Sequence, residues 1–146
     1  MNRAMTLALS LVLAVVLPGC ANRPPSRSPD IRGVVTSLDE GTNGTLSMRV
    51  VWDKNLGTQL QHDAAQVYVS SKTRVFATTT ANVADATKIP STQLRVRDIV
   101  EVWFTGAVRE SYPVQVDARD VVVLGQVDAS QPLPTPPGLA PPGSGQ

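Results

Sequence analysis

The chain has 146 residues, of which 42% are hydrophobic, 17% charged and 4% aromatic, and its formal net charge is +1. One cysteine excludes a disulfide scaffold, and a single long apolar run excludes a polytopic membrane protein. All 12 acidic residues lie between Asp30 and Asp128, together with every basic residue except Arg3, Arg23 and Arg27. This block is therefore slightly acidic, and we expect no nucleic-acid partner, because phosphate binding needs clustered Lys and Arg.

Residues 1–19 have the pattern of an export signal. A short start with Arg3 is followed by an apolar run over residues 4–17, and Pro18-Gly19 then ends any helix. The run is shorter than the roughly 20 residues that a membrane-spanning helix needs. The pattern predicts a secretory signal peptide over residues 1–19.

The end of this signal, Leu17-Pro18-Gly19-Cys20, resembles the bacterial lipobox. The resemblance implies that the Cys20 thiol carries a diacylglyceryl group and becomes the mature N-terminus. Two or more acyl chains hold a protein stably on a membrane, so we expect a lipid-anchored protein on the extracytoplasmic side of a membrane in the bacterial cell envelope. The alternative is an ordinary cleaved signal followed by an unpaired thiol.

Two polar, proline-rich segments flank the central block. Residues 20–29 are predicted to be a lipid-anchored tether. Residues 129–146 hold six of the chain's 12 prolines and are predicted to be a disordered Pro/Gly-rich tail, since they have too few apolar residues to form a core. The alternative is that this tail is a proline-rich ligand for a partner domain.

Residues 30–128 are predicted to form one β-domain. The first strand covers residues 31–38, with Gly33 where a sharply curved strand needs a missing side chain. Turn residues follow, and the second strand, residues 45–52, alternates apolar and polar side chains and pairs with the first as a hairpin. The third strand covers residues 65–69, with a continuation as far as Phe76 left open.

The second half of this domain is predicted to contain a helical turn and two more strands. Residues 77–90 look irregular, and Ser91 is placed as the cap of one short helical turn. The last two strands are predicted at residues 98–105 and 117–124. Five strands with a helical turn between the third and fourth predict an all-β, OB-like barrel; another small barrel or sandwich is the alternative.

The last part of this domain resembles the YobA-like family of bacterial lipoproteins, whose function is unknown. The shared features are a Val-x-Val-Trp strand ending at Trp103, Thr105-Gly106, Glu110-Ser111-Tyr112-Pro113, and Gln115 and Ala118 before an aliphatic strand. The chain departs from the family at Arg97, where members often have glycine. The resemblance implies an OB-like barrel and lipid anchoring, and it implies no activity.

Catalytic and cofactor motifs are absent from the sequence. His62, next to Asp63, is the one histidine, and no nucleophile signature accompanies it. The acidic residues lack metal-ligand spacing, and no phosphate-binding glycine loop is present. We therefore expect no enzyme, no bound metal and no cofactor.

The fourth strand and the turn after it contain the candidate binding residues. If Val102 and Phe104 point into the barrel, Trp103 points outward, and Arg109, Glu110 and Tyr112 follow it. An aromatic side chain with arginine on one face of an OB barrel suits an extended ligand. The alternative is that the loop 106–116 or the tail covers Trp103.

These features predict a monomeric, non-catalytic binding or structural module of the envelope. Its partners are the membrane, through lipidated Cys20, and an envelope protein, peptide or glycan. The alternative hypothesis is an envelope hydrolase with an unrecognised active site.

Overall fold

The computed structural model describes residues 22–80 and 82–137. The predicted signal peptide, Cys20 and the last nine residues of the tail, 138–146, lie outside this range. The described residues contain seven strands: β1 (Ile31–Glu40), β2 (Leu46–Val51), β3 (Ala64–Val69), β4 (Arg74–Ala77), β5 (Thr87–Ile89), β6 (Asp98–Arg109) and β7 (Val114–Gln126).

Five of these strands close into a barrel. β1 pairs with β2 and β6, β2 pairs with β3, and β6 pairs with β7, all antiparallel. Parallel pairing of β3 with β7 closes the ring. With a 3-10 turn at Ser91–Gln93 before β6, this is the topology of the OB-fold, and the predicted fold is confirmed.

The structure adds detail that the sequence did not predict. β4 is a separate strand, parallel to β7, and β5 lies in the segment predicted to be irregular. The backbone position that caps the 3-10 turn is Pro90, and no side chain caps the turn, so the capping role predicted for Ser91 is wrong. β6 and β7 are both longer than predicted and form one extended hairpin.

The barrel interior is aliphatic and well buried. Alternating side chains of each strand point inward, as the period of two in a strand requires. Met48, Val67, Val100 and Val102 are each 0% exposed, and Leu94, just after the 3-10 turn, closes the space beneath them.

Gly33 allows β1 and β2 to approach each other closely. A Cβ atom at residue 33 would lie 2.4 Å from the carbonyl oxygen of Val51, which is backbone and cannot rotate away. Three residues later the register shifts at Thr36, a bulge that bends β1 further. The predicted need for a missing side chain at Gly33 is confirmed.

A second apolar cluster lies outside the barrel. Trp103, Phe76, Val122 and Ala86 are buried together, on the outer face of β6, β7 and β4. The segment before β1 lies against this cluster, because the Arg27 carbonyl accepts a hydrogen bond of 2.8 Å from the Trp103 indole. The described part of the predicted tether, residues 22–29, thus contacts the barrel at Arg27, while none of its residues is buried; its role as a tether stays a prediction.

The first part of the proline-rich tail also packs on the domain. Pro136 is buried, and Leu133 and Pro134 are half-buried. The Arg97 guanidinium donates to the carbonyls of Asp128 and Gln131, both at 2.9 Å. The predicted domain end at residue 128 and the predicted disorder are therefore wrong for residues 129–137.

The same arginine adopts the left-handed backbone conformation that glycine favours. Arg97 has φ 80°, which costs a residue with a side chain free energy. Its N–H donates to the Val35 carbonyl at 2.8 Å, and its carbonyl accepts from the Val127 N–H at 3.0 Å. These bonds, with the guanidinium contacts, hold the turn without glycine.

Gly33→Ala is expected to lower the free energy of unfolding by at least about 1–3 kcal/mol, because the new methyl overlaps backbone that must move. Urea denaturation followed by circular dichroism measures the loss. Ser37→Ala in the same strand is the matched control and should change stability little. Equal stability of Gly33→Ala and the unaltered chain would contradict the proposed close approach.

Candidate ligand-binding groove

Trp103 does not belong to an exposed surface. The predicted directions are confirmed, since Val102 and Phe104 pack on the barrel core while Trp103 lies in the outer cluster. Trp103 is, however, only 1% exposed, because it packs with Phe76, Ala86 and Val122 and its indole N–H donates to the Arg27 carbonyl. The prediction that Trp103 forms part of an exposed binding surface is therefore wrong, and these contacts involve neither the loop 106–116 nor the tail.

Two buried carboxylates lie on the same outer face as Trp103. Asp120 accepts from the Nε atoms of Arg74 at 2.6 Å and Arg119 at 2.7 Å, and Glu101 pairs with Arg32. A buried charge needs a partner and hydrogen bonds to be tolerated, and both carboxylates have them. We assign these pairs a structural role.

The other three predicted binding residues lie at the far end of the β6–β7 hairpin. Glu110 is exposed, and Tyr112 is 52% exposed with its hydroxyl 3.3 Å from Asp63 Oδ2. Desolvation, followed by the charge and hydrogen bond of Asp63, raises the pKa of Tyr112 above its usual value. Tyr112 precedes Pro113 through a cis peptide bond.

Arg109 instead lies over the ring of Tyr68, with its guanidinium carbon 5.4 Å from the ring centroid. The guanidinium also forms a weak ion pair with Asp117, at 3.4 Å. Arg109 thus joins the outward-facing side chains of β3 and β7. Of the four predicted surface residues, it is the one that the structure brings into a groove.

This groove, which we call the Tyr68 groove, has a volume of about 350 Å³ and is lined by Thr45, Tyr68, Arg109, Gln115 and Asp117. Its floor follows from the strand register, in which Tyr68 lies opposite both Ser47 on β2 and Asp117 on β7. Side chains at opposed positions share a face. The turn between β1 and β2 and the β6–β7 hairpin form its two walls.

Hydrogen bonds organise the floor beside Tyr68. The Tyr68 hydroxyl donates to Gln115 Oε1 at 3.3 Å. Next to it, the Gln66 amide donates to Ser47 Oγ at 2.7 Å and accepts from Arg49 Nε at 3.4 Å. The face therefore offers an aromatic ring, amides, hydroxyls, one negative charge on Asp117 and two positive charges on Arg109 and Arg49.

Sequence reasoning missed Tyr68 and Gln66 although the signal was present. Ala65, Val67 and Val69 alternate inward, which places Gln66 and Tyr68 outward on the same strand. The pattern identifies the face of each residue. It does not reveal that β7 lies alongside β3, and this parallel pairing is what brings Gln115 to Tyr68.

A larger cleft of about 710 Å³ lies between the turn after β2 and the start of the tail. Trp52 and Leu56 form one side, and Leu133, Pro132 and Pro134 form the other. The Trp52 indole donates to the Gly57 carbonyl at 3.2 Å. The cleft was not predicted, because the tail was expected to be disordered.

The other features considered in the sequence are the single histidine, a metal site and a membrane-spanning helix. The ring of His62 lies 5.5 Å from that of Phe104. Among residues 22–80 and 82–137, no group of three metal-ligating side chains is found. In that same part of the chain, no helix is long and apolar enough to cross a membrane. Comparison with family models, curated proteins and solved structures finds no match.

Trp103→Ala is expected to cost about 3–5 kcal/mol of unfolding free energy, more than Phe104→Ala, because Phe104 is only partly buried. Trp103→Phe keeps most of the packing but removes the indole N–H, and should cost about 1 kcal/mol. Urea unfolding midpoints measure all three. A smaller loss for Trp103→Ala than for Phe104→Ala would contradict the assigned core role of Trp103.

Proposed function

We propose that this protein is a lipid-anchored module of the bacterial envelope that binds a glycan in the Tyr68 groove. The observation that supports this function is the position of the groove on an OB barrel. OB-folds bind oligonucleotides and oligosaccharides on the face of strands 2 and 3, between the loops that join strands 1 to 2 and 4 to 5. In this chain those features are β2, β3, the turn at Thr42–Gly44 and the β6–β7 hairpin.

The chemistry of the groove favours a neutral, hydroxyl-rich ligand over an anionic one. The two charged residues that line the groove, Arg109 and Asp117, offset each other, and Arg49 lies beside the groove with its guanidinium on Gln66; the lining itself therefore has no net positive charge to attract phosphate. Sugar hydroxyls both donate and accept hydrogen bonds, which suits Thr45, Gln115 and the Tyr68 hydroxyl. The volume of about 350 Å³ lies at the lower end of the range for small-ligand sites.

The proposed location rests on the N-terminal sequence. A positively charged start, a short apolar run and Leu17-Pro18-Gly19-Cys20 support lipidation of Cys20. The resemblance of residues 31–124, closest from Ser91 onward, to YobA-like lipoproteins supports the same location, and we propose membership of that family. A non-catalytic role fits a groove in which balanced charges and amides predominate.

The binding proposal predicts that N-acetylglucosamine oligosaccharides bind the mature protein, as measured by isothermal titration calorimetry. Tyr68→Ala should weaken binding at least about tenfold, because a central aromatic contact typically dominates such a site. Tyr112→Ala is the control, since it removes an exposed tyrosine outside the groove. Equal losses from both variants, with unchanged melting curves, would contradict the assignment of the groove.

The anchoring proposal predicts that Cys20→Ala blocks lipidation, because the thiol is the acyl acceptor. Metabolic labelling with a radioactive or clickable fatty acid should mark the unaltered chain and not the variant. Ser10→Ala, within the apolar run, is the control and should be labelled normally. Labelling of Cys20→Ala would show that the lipobox assignment is wrong.

A further inference from the structure

The charges of the folded domain are unevenly distributed over its surface. The outer face that contains Trp103 has six basic residues, four on strands β1, β4, β5 and β7 and two in the segment before β1. We call this the basic face, and its members are Arg23, Arg27, Arg32, Arg74, Lys88 and Arg119.

Hydrogen bonds and ion pairs hold four of the six residues of the basic face against the outer cluster or against one another. Trp103 binds the Arg27 carbonyl at 2.8 Å, and the Arg74 guanidinium contacts the Arg23 carbonyl at 3.5 Å. Arg119 shares Asp120 with Arg74. Lys88 is exposed on β5 and lies opposite Phe76, so it shares a face with the outer cluster.

This face has an excess of positive charge even after its own carboxylates are counted. Asp30, Glu101 and Asp120 pair with its arginines. With Asp85, in the 3-10 turn before β5, counted as a fourth acidic group, six basic and four acidic groups give a net charge of +2. The rest of the described chain has six basic and eight acidic groups, a net charge of −2. The domain is therefore a charge dipole whose positive end is the basic face.

The direction of this dipole matters because the chain leaves the barrel at its positive end. The backbone is fixed at Arg27 by Trp103 and reaches Arg23 beside Arg74. Cys20 lies three positions before Arg23 in the sequence, and three extended residue steps span at most about 11 Å. An acyl group on Cys20 thus holds Arg23 and Arg74 close to the lipid headgroups.

At such a separation, charge on the membrane acts on the domain. The Debye length at physiological salt is about 8 Å, comparable with the distance that the chain allows. Anionic headgroups attract juxtamembrane Lys and Arg, while the acidic remainder of the domain is repelled. A long free tether would lose this orientation, but the backbone carbonyls of Arg23 and Arg27 contact Arg74 and Trp103 on the barrel.

We propose that the basic face docks on anionic phospholipid headgroups and fixes the orientation of the barrel on the membrane that holds its anchor. This inference rests on the proposed lipidation of Cys20. The lipid anchor alone attaches the domain to the membrane, and electrostatic docking of the basic face also sets the orientation of the barrel.

The test uses the mature lipoprotein reconstituted in vesicles, with one new cysteine for a fluorophore, because the native cysteine is acylated in this proposal. Thr87→Cys places the label on β5, beside Lys88. Thr42→Cys is the control and places it after β1, a strand of ten residues that rises about 33 Å from end to end. Headgroup-linked nitroxide lipids quench a fluorophore that lies near the membrane surface.

Replacing one third of neutral phosphatidylcholine with phosphatidylglycerol should increase quenching at residue 87 and not at residue 42. High salt should reverse the increase, because it screens the attraction. The double variant Arg23→Gln with Lys88→Gln removes two positive charges from the basic face. On anionic vesicles, the ratio of docked to undocked protein, read from quenching at residue 87, should fall about fivefold for each charge removed. Arg49→Gln with Lys54→Gln removes the same charge elsewhere and should leave the preference in place.

The outcomes separate the two proposals. If the unaltered protein fails to float with vesicles in high salt, the lipid anchor is wrong. If it floats and both labels are quenched equally, with no effect of phosphatidylglycerol, the anchor stands and the docking face is wrong. Equal effects of the two double variants would also overturn the docking face, because they would show a response to total charge alone.

Discussion

The parallel pairing of β3 with β7 is the constraint on which the structure depends. It joins residues 65–68 to 114–117 and turns a sheet with two open edges into a closed barrel. Closure demands curvature, and the chain supplies it where side chains or register permit. Gly33 lets β1 approach β2, and Thr36 and Arg119 are extra residues at bulges in β1 and β7. The Tyr68 groove exists only because closure brings Gln115 beside Tyr68.

A second layer of residues covers the outer face of β6 and β7, and the carboxylates that it buries need arginine partners. Trp103 and Phe76 gain burial there, but Glu101 and Asp120 are removed from water by the same cover. Each carboxylate is tolerated because an arginine lies against it, as the desolvation of a charge demands. The arginines that stabilise this layer are also the source of the basic face, so local packing and long-range electrostatics share the same side chains.

The sequence predicted the barrel more fully than its surroundings. Apolar alternation located the second, third and fourth barrel strands and the opposite directions of Trp103 and Phe104, because each of these strands buries one side in the barrel. Apolar runs between turn residues located the first and the last. Alternation does not report what covers the other side. Trp103 is buried by Phe76 and Ala86 from β4 and the turn before β5, and its indole donates to Arg27, 76 residues earlier in a polar segment with no periodicity. The tail was mispredicted for the same reason, since its packing depends on Arg97 and the barrel rather than on its own composition.

The candidate site was also predicted only in part, because sequence proximity identified Arg109 but not the residues that surround it. Arg109 was predicted from its proximity in sequence to the aromatic turn, but the residues around it come from β3 and β7 and follow from topology. On β7, Asp117 faces the Tyr68 groove and Asp120 lies beneath the arginines of the basic face. The bulge at Arg119 lies between them and changes the register of the strand. One rigid strand therefore connects the groove to the basic face, so any interaction that orients the basic face also sets the direction in which the groove opens.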